Sequence, residues 1–157
     1  TGFTSGAGYC LSATALRDGM ELIAVVMGAD TSTNRNNACK QLLDYGFANF
    51  AVITPELTEA EPIPVKLGKK NTVDAVLGDS NGLLIDKARK NSITMELSME
   101  EAVAAPVSRG QRLGTLTVKA GDQTLKEVPL VAAEGVERKS LGDLFSMVLK
   151  RAAMAKL

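Results

Sequence analysis

Two strand-like runs stand near the start of the chain, residues 9–15 (YCLSATA) and 21–27 (ELIAVVM). Arg17-Asp18-Gly19-Met20 lies between them. Asp-Gly between two such runs predicts a hairpin with a type I′ turn, because that turn needs positive φ at both central positions. The second run is almost wholly apolar from Leu22 to Met27, the pattern of a central strand buried on both faces. A polar loop follows over 28–34. Ala38, Leu42, Leu43 and Phe47 then recur at helical spacing, which predicts a helix over 35–50 with Asn34 as its N-cap. Gly46 is expected to weaken the end of that helix.

Composition shifts near Ile53-Thr54-Pro55, and the acidic stretch 56–64, with two further prolines, reads as a linker. Short strand patterns follow at 63–67, 72–77, 83–86, 92–97, 115–119 and 124–131, with Gly121-Asp122 turning the last hairpin. This is the pattern of a small all-β domain. Helical periodicity returns at Ser140. Leu141, Leu144, Phe145, Val148, Leu149, Ala152 and Ala155 fall on one face, and Asp143, Ser146 and Lys150 lie opposite. Ser140 with Asp143 predicts a short capping box, and Lys150, Arg151 and Lys156 suit the C-terminal half of a helix. The expected organisation is therefore 1–55, 56–137 and a tail helix over 138–157.

The chain has 157 residues, 18 basic and 18 acidic, so no global field favours nucleic acid. The balance is uneven: residues 1–60 hold 3 basic and 6 acidic side chains, 61–137 hold 10 and 11, and 138–157 hold 5 and 1. The basic excess sits in the tail. Histidine is absent, which removes Ser-His-Asp and Cys-His catalysis and makes the usual zinc sites unexpected. No metal or organic cofactor is implied. Cys10 and Cys39 match no metal spacing and read as small buried side chains, with a disulfide between them left open. No apolar run is long enough to span a bilayer. The abrupt Thr-Gly opening, without an initiator Met, is read as the start of a processed or cut chain.

Chemistry enters with the first nine residues, Thr1-Gly2-Phe3-Thr4-Ser5-Gly6-Ala7-Gly8-Tyr9. Alone, these letters describe an edge strand followed by a bend. The order that follows says more: a hairpin, an apolar strand ending Val26-Met27-Gly28, then Arg35, then Leu43-Asp44-Tyr45-Gly46-Phe47. This order resembles the third motif region of the low-molecular-weight penicillin-binding proteins, the D-alanyl-D-alanine carboxypeptidases. In that family a Lys-Thr-Gly strand lines the active site. Here the chain begins one residue after that Lys would stand. The resemblance covers residues 1–50 in detail and the remainder only in the order of its parts.

The resemblance implies an α+β fold. It would comprise the C-terminal part of a β-lactamase/transpeptidase-like domain (antiparallel sheet plus helix), a small all-β domain and a C-terminal amphipathic helix. It implies acyl-enzyme chemistry at a serine, activated by lysine in a Ser-x-x-Lys motif, with a Ser-x-Asn motif moving protons. The substrate would be a peptidoglycan peptide ending in D-Ala-D-Ala, and β-lactams would inhibit. Thr1, Gly2, Thr4 and Arg35 would bind substrate. The Thr1 hydroxyl and the Arg35 guanidinium would meet the terminal carboxylate, and Gly2 would keep the strand surface clear. The backbone N–H of Phe3 would be one oxyanion donor. Many relatives carry His at that position, but only the backbone is needed.

No Ser here is followed three places on by Lys, and Ser32-Thr33-Asn34 lies after the Thr-Gly strand, where the family's catalytic Ser-x-Asn does not stand. The chain alone is expected to be inactive, with an N-terminal catalytic fragment as its partner if one is present. Two other readings are weighed. Thr1 could serve as an N-terminal nucleophile with its own amine as base. Alternatively, the β domain is a non-catalytic spacer whose tail, 140–157, docks on a membrane surface or partner. Residues 60–135 show no site chemistry, only charges alternating in sign. The resemblance would place the protein outside the cytoplasm, at the outer face of the bacterial cytoplasmic membrane.

Overall fold

The computed structural model describes residues 1–58, 60–79 and 81–154, with side chains described for all of these except 148–154. The chain forms two compact units. One comprises Thr1–Thr54 with Asn81–Ile93, and the other Pro55–Ser80 with Thr94–Leu157.

The first unit opens with three antiparallel strands in the order β1-β2-β3: β1 (Gly2–Thr4), β2 (Gly8–Arg17) and β3 (Met20–Ala29). Arg17 pairs with Met20, and Asp18 and Gly19 close the hairpin with φ of 50° and 75°, the conformation expected for Asp-Gly. Helix α1 (Ser32–Asn49) packs on the sheet and buries Cys39 and Phe47. Its N-cap is Thr31, whose Oγ1 accepts the Asn34 N–H at 3.1 Å. The expected cap, Asn34, is instead inside the first turn, because Thr31 already offers the hydroxyl in extended backbone. Gly46 does not end the helix. A Cβ there would collide with Leu22 Cδ1, so the glycine is what lets α1 lie close on β3.

Burial corrects the reading of β3. Met20 and Ala24 are buried, but Ile23, Val25 and Met27 are 69%, 58% and 75% exposed. The apolar run is covered on one face only within this chain. Both thiols are free, Cys39 buried and Cys10 half-buried.

Strand β4 (Phe50–Ile53) pairs antiparallel with β8 (Leu83–Asp86), and a 3₁₀ helix, Lys87–Ser92, follows β8. Segment 83–86, expected within the all-β domain, thus belongs to the first unit. The strand pattern was visible, but a local pattern does not name a partner 30 positions away.

The second unit holds β5 (Ile63–Lys66), β6 (Thr72–Val73), β7 (Ala75–Leu77), β9 (Ile93–Met99, which begins at the boundary), β10 (Val103–Ala104), β11 (Arg112–Ala120) and β12 (Gln123–Ala132). One sheet has the order β10-β5-β6 and the other β7-β12-β11-β9. The expected strand 72–77 is split at Asp74, its halves joining different sheets. The hairpin β11-β12 turns at Gly121 as expected, with φ of 59°. Alternation along these strands sends Leu116, Val118, Val128 and Leu130 inward, a register shift at Arg112/Gly114 brings Leu113 to the same face, and most of them join Ile63, Val73, Val107 and Val136 in one core.

Helix α2 runs over Leu141–Met154. Its capping box is formed: the Ser140 N–H and hydroxyl donate to Asp143 Oδ2 at 2.8 and 2.7 Å, and the Asp143 N–H donates back to Ser140 Oγ at 3.2 Å. Leu141 and Phe145 are exposed and Leu144 half-buried. Of the remaining apolar stripe, the side chains of Val148, Leu149 and Ala152 lie outside those described, as do the cations Lys150 and Arg151, while Ala155 and Lys156 lie outside the described residues.

Candidate active-site edge

Strand β1 is the edge of its sheet, so alternate backbone N–H and C=O groups of residues 2–4 face away from β2. The register sets Gly2 opposite Cys10, Phe3 opposite Tyr9 and Thr4 opposite Gly8. Thr1 to Thr4 are all exposed. A Cβ built on Gly2 meets no atom within 4 Å, so nothing in this chain requires glycine there. Thr4 does a local job: its Oγ1 accepts the Ala7 N–H at 3.0 Å and ties the bend between β1 and β2. Its hydroxyl proton remains available to donate.

Arg35 stands one turn into α1, its backbone N–H bonded to Thr31 O at 3.1 Å. Its Nε and Nη2 both donate to Asn36 Oδ1 at 3.1 Å. The guanidinium carbon lies 5.9 Å from the Tyr9 ring centroid, at the outer limit of a cation–π contact. The Tyr9 and Phe3 rings are 4.4 Å apart at 36°. Tyr9 therefore links the helix-borne cation to β1. Its place in Ala-Gly-Tyr was visible in sequence, but no spacing rule assigns it this bridging position. Among the described residues no carboxylate forms an ion pair with Arg35. A charged guanidinium beside an exposed strand edge can take an anionic chain end. No group of three His, Cys, Asp or Glu among the described residues is placed to hold a metal.

Comparison with known proteins reads this edge in context. The family model described as "Penicillin-binding protein 5, C-terminal domain" matches residues 54–138, and that described as "D-alanyl-D-alanine carboxypeptidase" matches residues 1–31. The chain belongs to the low-molecular-weight penicillin-binding proteins of the D-alanyl-D-alanine carboxypeptidase family, and corresponds to a C-terminal portion of them. D-alanyl-D-alanine carboxypeptidase DacF of Bacillus subtilis is 32% identical over 141 residues, 88% of this chain and 36% of that protein. DacC of Escherichia coli is 32% identical over 151 residues, 94% of this chain and 37% of that protein. The crystal structure of penicillin-binding protein 5 from Haemophilus influenzae matches with a TM-score of 0.63 at 30% identity, covering 87% of this chain and 41% of that one. The crystal structure of PBP3 from Streptococcus pneumoniae, described as a peptidoglycan synthesis regulatory factor, matches with a TM-score of 0.54 at 26% identity, covering 87% of this chain and 42% of that one. The chain thus spans little more than a third of the length of the curated relatives it matches.

Proposed function

We propose that this chain is the C-terminal portion of a serine-type D-Ala-D-Ala carboxypeptidase acting on peptidoglycan peptides. Its part in catalysis is to present the substrate-binding edge. The observation that carries the reading is the exposed Thr1–Thr4 edge strand with Arg35 linked to it through Tyr9.

In this reading the substrate lies antiparallel along β1. Its terminal carboxylate accepts hydrogen bonds from the Thr1 hydroxyl and the Arg35 guanidinium, which supplies a planar, permanently charged donor. Gly2 leaves room for the peptide, consistent with the empty space around its Cα. A serine from the N-terminal catalytic portion attacks the carbonyl carbon between the two D-alanines. The Phe3 N–H donates to the developing oxyanion. The C–N bond then breaks, the departing D-alanine takes a proton, and the acyl-serine ester is cleared by water. β-Lactams would acylate the same serine. The Thr4 hydroxyl holds the bend at one end of this edge and can donate toward substrate.

The N-terminal portion would also cover the exposed β3 face. Unit two serves as a spacer, and α2 docks on the outer face of the cytoplasmic membrane. The exposed Leu141 and Phe145 favour that docking. Among the described residues no helix is long and apolar enough to cross a membrane, so any attachment through α2 would be interfacial.

Two measurements test this. Arg35→Ala in the full-length protein should lower kcat/KM on a D-Ala-D-Ala peptide by an amount on the order of 2–3 kcal/mol. An unchanged value refutes the carboxylate role. The chain alone should take no covalent label from a fluorescent penicillin on a denaturing gel. Labelling at Thr1 would instead establish the N-terminal nucleophile.

A further inference from the structure

The first unit carries a cationic pocket that uses none of the residues placed at the substrate edge. It has a volume of about 290 Å³ and lies where the β2-β3 turn, the end of α1, β4 and the 3₁₀ helix converge. Arg17, at the far end of β2 from the residues paired with β1, lines it together with Lys87 and Lys90. Met20, Phe47 and Phe50 form its apolar wall.

The local geometry holds the cations in place. The Arg17 guanidinium carbon sits 4.5 Å from the Phe47 ring centroid, which orients the fork while leaving its N–H edges available. Lys87 Nζ donates to Phe47 O at 2.6 Å, spending one of its three protons. Lys90 lies one 3₁₀ turn further on and shares that face. Among the described residues none of the three forms an ion pair with a carboxylate. Two acidic groups stand near. Asp18 lines the pocket, and Asp86 turns its carboxylate to the Ala88 N–H at 3.0 Å, capping the 3₁₀ helix. Three cations against Asp18 and Asp86 leave the rim net positive.

We infer that this pocket binds the phosphate group of a small phosphorylated ligand. A terminal phosphate presents three acceptor oxygens to the three cations, where a carboxylate presents two. The guanidinium offers paired donors to two phosphate oxygens, and the ammonium groups act as point charges beside it. The volume stands at the lower end of small-molecule sites, which suits a phosphate with a short organic stem on the apolar wall.

The test is a proton–nitrogen NMR titration of the whole chain with inorganic phosphate, against sodium chloride at matched ionic strength. Saturating shifts are expected at Arg17, Met20, Phe47, Lys87 and Lys90, with chloride leaving them in place. Lys90→Gln, at a side chain with no described hydrogen bond or ion pair, should weaken phosphate binding about tenfold, and Arg17→Gln likewise. Lys119→Gln, in the second unit and paired with Glu96, should leave it unchanged. Glycerol phosphate and phosphatidylglycerol vesicles then separate the sources. Dependence on Arg17 and Lys90 for the soluble ester assigns a free phosphorylated metabolite, and for the vesicles a lipid headgroup. Shifts that fail to saturate, that chloride reproduces, or that persist in the Arg17→Gln/Lys90→Gln double variant overturn the site.

Discussion

The two units treat similar apolar content differently. In the second, alternation along β11 and β12 leaves Val118, Val128 and Leu130 wholly removed from solvent. In the first, β3 is more continuously apolar, yet Ile23, Val25 and Met27 stand in water. Alternation describes a strand whose core comes from its own unit. An unbroken run describes a strand with two faces to cover, and here only α1 covers one. The same hydrophobicity therefore reports a finished core in one place and an unmet face in the other.

The comparison is broken most directly by truncating each side. Leu130→Ala should cost about 3 kcal/mol, the middle of the range for a fully enclosed leucine, measured by denaturant unfolding. Ile23→Ala should change stability by no more than about 0.5 kcal/mol in this chain. Comparable losses would mean that β3 is covered after all. Next in size, the open face should drive self-association at micromolar concentration and above. Sedimentation of an Ile23→Lys/Val25→Lys variant is expected to return the monomer. A wild-type chain already monomeric by itself removes this reading of the face.

A smaller effect tests helix α1. Thr31→Ala should cost about 1 kcal/mol and Asn34→Ala close to nothing, by amide exchange across the first turn. The reverse order would return the cap to Asn34. The smallest effect concerns pH at α2. Hydrogen bonds from the Ser140 hydroxyl and N–H hold the Asp143 carboxyl below its ordinary value, with minor help from Lys69 and Lys139. Because the folded value is the lower one, the carboxylate supports the helix start above the ordinary aspartate range. That support is lost as pH falls through the depressed value. Carbon chemical shifts of residues 141–144 should lose helical character there, and Asp143→Asn should already be frayed at neutral pH. Indifference to both changes would leave the capping box without consequence.

Much of this was readable in the sequence because the signals were local. The Asp18-Gly19 turn, the Gly121 turn, the Ser140–Asp143 box and the runs of β2 and β12 each depend on a few neighbouring residues. What sequence missed was relational. Residues 83–86 read as a strand, but their pairing with β4 is a matter of tertiary fit. Asn34 is the stronger cap letter, yet Thr31 has the extended backbone a cap needs and takes the position. At the edge proposed to bind substrate, Thr1, Gly2, Phe3, Thr4 and Arg35 follow from a family pattern, while the Tyr9 ring between Phe3 and Arg35 needs three dimensions. Arg17, Lys87 and Lys90 are unremarked surface cations in one dimension, and only the fold gathers them.

The pairing of β4 with β8 also sets a timetable for biosynthesis. Ile53 leaves the ribosome about 30 residues ahead of its partner Leu83, so at roughly 5–20 residues per second β4 waits for a few seconds without its neighbour. Throughout that interval the nascent chain offers Phe50, Ala51, Val52 and Ile53 as an unmatched, uncharged edge. The stretch made meanwhile, 54–82, opens with prolines at 55, 62 and 64 and acidic residues at 56, 59 and 61, a composition that discourages a wrong strand from adding there.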